Sequence, residues 1–215
     1  NYANTTTVVS SSNSGTGNSA GSVLSVGKPA VSKSFAPTAI LVGGTSVLTF
    51  VVSNPTTTNL TNLAFSDTLS GMAVANPNGL TGTCGGNVTA APGSGSVALA
   101  NGAIAAGGNC TFSVNVTSTT AGIHPNVTTG VTSDQTGVAG NPSNTADLTV
   151  IAAPSATKSF SPASIAPNAL SLLTIAVNNV NSAVTANGVG FTDTYPAGLI
   201  NATPANPTLN CTAGS

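Results

Sequence analysis

Apolar and polar residues alternate in short runs along this chain, and Gly, Pro and Asn separate the runs. Leu48, Phe50 and Val52 alternate with Thr49 and Val51, so one face of that segment is the more apolar. Leu173, Ile175 and Val177 repeat that face further on. Cys110, Phe112, Val114 and Val116 alternate with Thr111, Ser113 and Asn115, the period of a half-buried strand. Leu63 with Phe65, and Ala146 with Leu148 and Val150, supply two more strands. No stretch carries a helical period over three turns, and β-branched residues dominate. The pattern predicts an all-β fold, an antiparallel sandwich of about seven to nine strands.

The strands come in copies. Lys33-Ser34-Phe35-Ala36-Pro37 returns 125 residues later as Lys158-Ser159-Phe160-Ser161-Pro162. Leu48 answers to Leu173, Asn54 to Asn179, Phe65-Ser66-Asp67-Thr68 to Phe191-Thr192-Asp193-Thr194, and Cys84 to Cys211. A repeat of this period means tandem domains of about 125 residues. Tyr2-Ala3-Asn4-Thr5-Thr6 matches His124-Pro125-Asn126-Val127-Thr128 more weakly, and Asn18-Ser19-Ala20, ending in Val26, matches Asn144-Thr145-Ala146, ending in Val150. Residues 1–27 are therefore expected to be the C-terminal strands of a preceding repeat, 28–153 a complete sandwich, and 154–215 the N-terminal half of a following repeat. Two explanations stand for the partial copies: a window cut from a longer array, or a subunit whose missing halves its neighbours complete. The counterpart of residues 85–122 is absent from both partial copies, which favours the cut window. The linkers, Gly27-Lys28-Pro29-Ala30 and Ala152-Ala153-Pro154-Ser155, are short and stiffened by Pro, and suit an extended rod.

Charge is almost absent. Three lysines, no arginine, four aspartates and no glutamate exclude the clustered cations that phosphate binding needs, so no nucleic-acid partner is expected. No apolar run approaches the ~18 residues of a membrane helix, and no insertion of this segment is expected. No signal peptide is present, consistent with a mature or excerpted chain. The polar surface must be built from Ser, Thr, Asn and Gly. The regular alternation argues against disorder as the explanation of that composition, except around residues 10–22.

The cysteines fit an oxidising compartment. Cys84 and Cys110 lie in the complete repeat and could close a loop of about 27 residues, a link worth roughly 3 kcal/mol. Cys211 answers to Cys84, and its expected partner lies beyond the chain end. Three free buried thiols are the alternative. No CxxC or His cluster accompanies them, so no metal site is expected.

Three motifs carry a family resemblance: the Lys-Ser-Phe-x-Pro opening, the Asp-Thr motif running to a glycine (Asp67-Thr68 to Gly71, Asp193-Thr194 to Gly198), and the closing Asn-Thr-Ala with its β-branched tail. Their order and spacing resemble the "domain of unknown function 11" type, a class of Ig-like repeats in bacterial and archaeal surface proteins. The resemblance covers essentially the whole chain. It implies secretion, tandem arrays and a cell-surface or fibre role, and implies no enzymatic activity. The chain departs from it at His124, where the family, and Tyr2 in the preceding copy, place a tyrosine.

Among the sparse charges, Lys33 and Asp67 have repeat counterparts at Lys158 and Asp193. A charge that recurs in so neutral a chain calls for a fixed partner, because an unpaired buried charge is costly, and Lys33 with Asp67 is the natural pair. Adding Asn144 from the last strand gives the parts of an autocatalytic isopeptide bond: a desolvated, neutral lysine amine, an amide, and a protonated carboxyl to polarise it. Asn126 and Asn54 are alternative amides. A plain ion pair, a turn-starting Asp67 and a Lys33 that snorkels to solvent are the competing readings. His124 lacks the companions of a triad or a zinc site and reads as a packing and hydrogen-bonding replacement for tyrosine. Asp134 and Asp147 lack the acidic neighbours that a calcium site wants.

Glycosylation sequons stand at Asn4, Asn59, Asn87, Asn109, Asn115, Asn126, Asn201 and Asn210, and the Thr runs 5–7 and 56–58 could carry O-linked sugars. Glycans would help an uncharged surface stay soluble. Without them, the Thr/Asn surface suits head-to-tail self-association in a fibre or array. The expectation is a structural, extracellular, non-catalytic repeat protein of a stalk, sheath or filament, with no cofactor. The alternative is an adhesin or carbohydrate-binding module, for which the absence of Trp and the presence of only two Tyr remove the usual sugar-stacking platform.

Overall fold

The computed structural model describes residues 2–24, 27–181 and 184–211. Val26, which closes the first partial copy in the sequence, lies outside the described residues. Sixteen strands and no helix occur among them. They are β1 (Tyr2–Thr5), β2 (Ser10–Ser11), β3 (Gly15–Thr16), β4 (Gly21–Leu24), β5 (Ala30–Ala36), β6 (Ala39–Leu41), β7 (Thr45–Ser53) and β8 (Leu60–Thr68), followed by β9 (Ala73–Val74), β10 (Asn87–Thr89), β11 (Ser96–Ile104), β12 (Asn109–Thr117), β13 (Gly122–Asn126), β14 (Ala146–Ile151), β15 (Ser155–Ser161) and β16 (Leu172–Asn178).

β5 to β14 form a two-layer sandwich. One layer is the antiparallel sheet β5-β7-β12-β9. The other holds β10-β11-β8 and β13-β14-β6, and bridges from Ala64 to Thr132 and from Asp67 to Thr128 link the two groups. The alternation that predicts strands also decides what the layers bury. In β7 the inward row includes Leu48, Phe50 and Val52, and in β12 it is Phe112, Val114 and Val116. β8 and β11 supply Leu63, Phe65, Val97 and Leu99 from the opposite layer. Phe50 stacks on Phe112 with ring centroids 4.8 Å apart, and Phe65 lies 5.6 Å from Phe50, so three rings form the middle of the core.

Two features differ from the sequence expectation. Ten strands, rather than seven to nine, lie between Ala30 and Ile151. The additional ones are short: β6, β9 and β10 have only two or three residues, too few to show an alternation. The sandwich also contains one parallel pair, β14 with β6. After β5 the chain reaches Pro37, whose missing N–H ends the ladder with β7, and crosses to the other layer to run beside β14. Ser46 Oγ donates to Pro37 O at 2.7 Å and pins the crossing.

Cys84 and Cys110 are disulfide-bonded, with Cα atoms 5.3 Å apart. Cys110 is the second residue of β12 in one layer, whereas Cys84 lies against β11 in the other, its carbonyl accepting from Ala103 N at 2.9 Å. The link therefore staples the two layers at one end. Cys211 is a free, exposed thiol.

Outside the sandwich, β1 pairs with β4, β2 with β3 and β15 with β16, all antiparallel. Apolar side chains outside the sandwich are far less covered: Phe191, the sequence counterpart of Phe65, is 61% exposed, against 5% for Phe65. No helix among the described residues is long and apolar enough to cross a membrane.

Candidate functional site

Strand parity places three polar side chains in the core. In β5, Lys33 shares the inward face with Val31 and Phe35. In β8, Asp67 is in phase with Phe65, and in β13 Asn126 is in phase with His124. Lys33 is 4%, Asp67 0% and Asn126 3% exposed. The three meet between the layers. Lys33 Nζ donates to Asp67 Oδ1 at 2.9 Å and to Asn126 Oδ1 at 2.5 Å. Asn126 Nδ2 donates to the same Asp67 Oδ1 at 2.8 Å and to Thr68 O at 2.8 Å. The Thr68 carbonyl fixes which end of the amide is the NH2, since a flipped amide would set oxygen against oxygen. Asp67 Oδ2 is buried and has no donor among the described residues.

Electrostatically the pair is pushed towards its neutral form. Burial lowers the Lys33 pKa from its ordinary value, opposed by the hydrogen bond and charge of Asp67. Burial likewise raises the Asp67 carboxyl, opposed by Lys33 and by the Asn126 hydrogen bond. Taking both charges from water is costly, and their mutual attraction only partly offsets that cost, so each group is shifted towards its uncharged form.

The amide at the lysine amine is Asn126 and not Asn144, which corrects the first-choice grouping. Asn144 reaches only the Lys33 backbone: its Oδ1 accepts from Lys33 N at 2.9 Å and its Nδ2 donates to Lys33 O at 3.0 Å. It acts as a one-residue ladder on β5, an edge strand of its sheet. Asn54, the other alternative, is buried elsewhere, donating to the carbonyls of Thr58, Ile104 and Ala105. The self-alignment does not single out Asn126, because Asn4 answers to Asn126 and Asn18 answers to Asn144 alike. Asn4 pairs with Ser22 and Tyr2 with Leu24 in β1–β4, and Asn126 pairs with Ala146 and His124 with Leu148 in β13–β14.

In the second copy, Lys158 Nζ donates to Asp193 Oδ1 at 2.7 Å, in a shallow cleft lined by Ile175 and Phe191. This pair is partly exposed, and its Asp193 Oδ2 is again buried without a donor among the described residues.

The sequon at Asn126 is a correction too. Its amide is enclosed by Lys33, Asp67 and Thr68, so no glycan could be carried there once the sandwich has formed. Asn4, Asn59, Asn87, Asn109, Asn201 and Asn210 are exposed, and Asn115 is half-covered, facing out of β12 beside Gly79. Asn59 and Asn201 use their side-chain oxygens as acceptors, from Ala106 N and Tyr195 OH. His124 is buried, with Nε2 2.8 Å from Thr120 O and its ring under Gly71. Asp134 is held by Asn62 and Thr61, and Asp147 is exposed. Among the described residues no three His, Cys, Asp or Glu side chains gather as a metal site.

Residues 29–150 and 154–215 match the family described as "Domain of unknown function (DUF7933)". The chain belongs to this family. This match does not bear out the specific "domain of unknown function 11" type that the motifs resemble. No curated protein matches the chain. Among solved structures, the chain is similar to the major pilin subunit BcpA of Bacillus cereus, with 9% identity and a TM-score of 0.46. That match covers 66% of this chain and 46% of the pilin chain, so the chain spans less than half of the pilin's length.

Proposed function

We propose that this DUF7933 chain is a stretch of tandem β-sandwich repeats in an extracellular stalk, sheath or filament, structural and without catalytic activity. Its repeats are 1–27 (the end of one), 28–153 (complete) and 154–215 (the front of the next). The observation that carries the reading is that the same local wiring is built twice. Lys33 pairs across β5–β7 with Phe50 as Lys158 pairs across β15–β16 with Ile175, and Phe35 sits opposite Leu48 as Phe160 sits opposite Leu173. Ser46 Oγ and Ser171 Oγ each donate at 2.7 Å to the carbonyl of the proline nine residues before, Pro37 and Pro162. Asn54 and Asn179 each turn their Nδ2 onto a nearby carbonyl at 2.8 Å, that of Thr58 and that of Val184. Lys33–Asp67 and Lys158–Asp193 complete the correspondence.

The junction supports a rod rather than loose beads. Asn181 clamps Ala152 in both directions: its Oδ1 accepts from Ala152 N and its Nδ2 donates to Ala152 O, each at 2.8 Å. This side chain stands just after the Asn179 turn and grips the linker that enters the same repeat. The preceding linker lies against the matching turn, with a Cβ at Gly27 meeting Thr56 Cγ2 at 3.0 Å. The nearly uncharged surface and the inter-layer disulfide fit a secreted protein kept together by covalent and backbone bonds. Antibodies against the 28–153 segment, gold-labelled on cells that make the protein, test the reading in the electron microscope. Label spaced along surface fibres or a sheath is expected, and label confined to the cell interior would refute it.

A further inference from the structure

We propose that Lys33 and Asn126 join spontaneously in an intramolecular isopeptide bond, with Asp67 relaying the proton. The inference rests on the three-residue cluster alone and stands whether or not the chain builds filaments. Asp67 Oδ1 touches both nitrogens that must exchange a proton, Lys33 Nζ at 2.9 Å and Asn126 Nδ2 at 2.8 Å. The amine that would attack already rests against the amide, through Asn126 Oδ1. Thr68 O holds Nδ2, so the amide cannot turn away. All three groups are sealed from water, which favours the uncharged amine and removes the hydrolytic competitor. Held side by side by three strands, they react with no translational entropy left to lose.

The step balances without an outside reagent. Lys33 Nζ, as the neutral amine, adds its lone pair to Asn126 Cγ, and the carbonyl pair moves onto Oδ1. Nζ gives one proton to Asp67, and Asp67 gives one to Nδ2. The Cγ–Nδ2 bond then breaks with its pair, ammonia leaves, and the carbonyl reforms as a secondary amide between Nζ and Cγ. Asp67 ends in the state in which it began. The bond would tie β5, which opens the complete repeat, to β13, near its close.

The orphaned Asp67 Oδ2 fits this role better than that of a structural ion pair. An ionised carboxylate buried with one oxygen unsatisfied is costly, whereas a carboxyl that must accept and release a proton gains from being undersolvated. Asn4 in β1 and Lys158 with Asp193 near β15 repeat the components in the neighbouring copies.

The test is intact mass of the full 215-residue chain, folded, then denatured and thiol-reduced. The expected mass is that of the sequence less one ammonia. Asp-N digestion cuts before Asp67 and Asp134, and fragments 1–66 and 67–133 are expected as a single branched species. Lys33→Met and Asn126→Ala should restore the full mass and separate the fragments. A folded wild-type chain of unmodified mass overturns the proposal. So does ammonia loss with separate fragments, which would signify a succinimide at an Asn-Gly pair such as Asn78-Gly79. A bond that forms to the same extent in Asp67→Ala would overturn the relay.

Discussion

Replacing Lys33 by methionine would keep a side chain of similar length in the core and remove its nitrogen. Asp67 would then be left fully buried, with Asn126 Nδ2 and no cation beside it. Of the influences on this carboxyl, burial is the largest and raises its pKa above the ordinary 3.8, and the two contributions from Lys33 that oppose it vanish in the variant. The folded state of the variant therefore holds a proton that the unfolded chain releases. Below the unfolded value both states are protonated and the group contributes nothing. Above it, stability falls by about 1.4 kcal/mol per pH unit until the folded pKa is reached. In the unmodified wild-type pair the count differs: Lys33 and Asp67 share one proton in either state near neutrality, so this site adds no slope. An isopeptide-linked wild type would not carry the same charges, and for that reason the slope of the variant is the quantity to read. Breaking a buried pair costs about 3–5 kcal/mol in total, and the loss should grow as pH rises above the unfolded value. Urea unfolding of Lys33→Met at intervals from about pH 4 to about pH 7 measures it through the midpoint, with the m-value as a check on compactness. A midpoint that stays level or climbs across that range would refute the argument that desolvation governs Asp67.

Three further outcomes follow from the geometry. Cys84→Ala with Cys110→Ala should lower stability by about 3 kcal/mol, seen as a reduced urea midpoint, while circular dichroism still reports a β-fold. Asn54→Ala leaves the carbonyls of Ile104 and Ala105 without their side-chain donor and Thr56 N without its acceptor; a loss of about 1–3 kcal/mol in urea unfolding is expected. Gly71→Ala and Gly43→Ala both place a side chain at positive φ, yet only at Gly71 would the Cβ strike His124, at 2.5 Å from Nδ1, whereas at Gly43 nothing lies within 4 Å. Gly43→Ala should cost about 1 kcal/mol and Gly71→Ala clearly more, by thermal or chemical unfolding of the two proteins side by side.

Local pattern determined a good deal of this protein. The period-2 alternation of Leu48-Phe50-Val52 and of Phe112-Val114-Val116 marks the central strands and their buried faces, because side-chain direction in a strand depends only on parity. The same parity puts Lys33 in phase with Val31 and Phe35, and Asp67 in phase with Phe65, so the buried charges were legible one strand at a time. The self-similarity at 125 residues needed no structure either. The parallel β6, the short β9 and β10, and the identity of the amide at Lys33 were decided by tertiary structure alone. Asn126 and Asn144 both belong to the closing segments of the repeat and look alike in sequence. One projects inward from β13 to the amine, 93 residues away along the chain, and the other lies flat on the backbone of β5, 111 residues away. Which of them meets Nζ depends on the layer each segment joins and on the register it takes there. Those are set by the packing of the whole sandwich, which no local run of residues encodes.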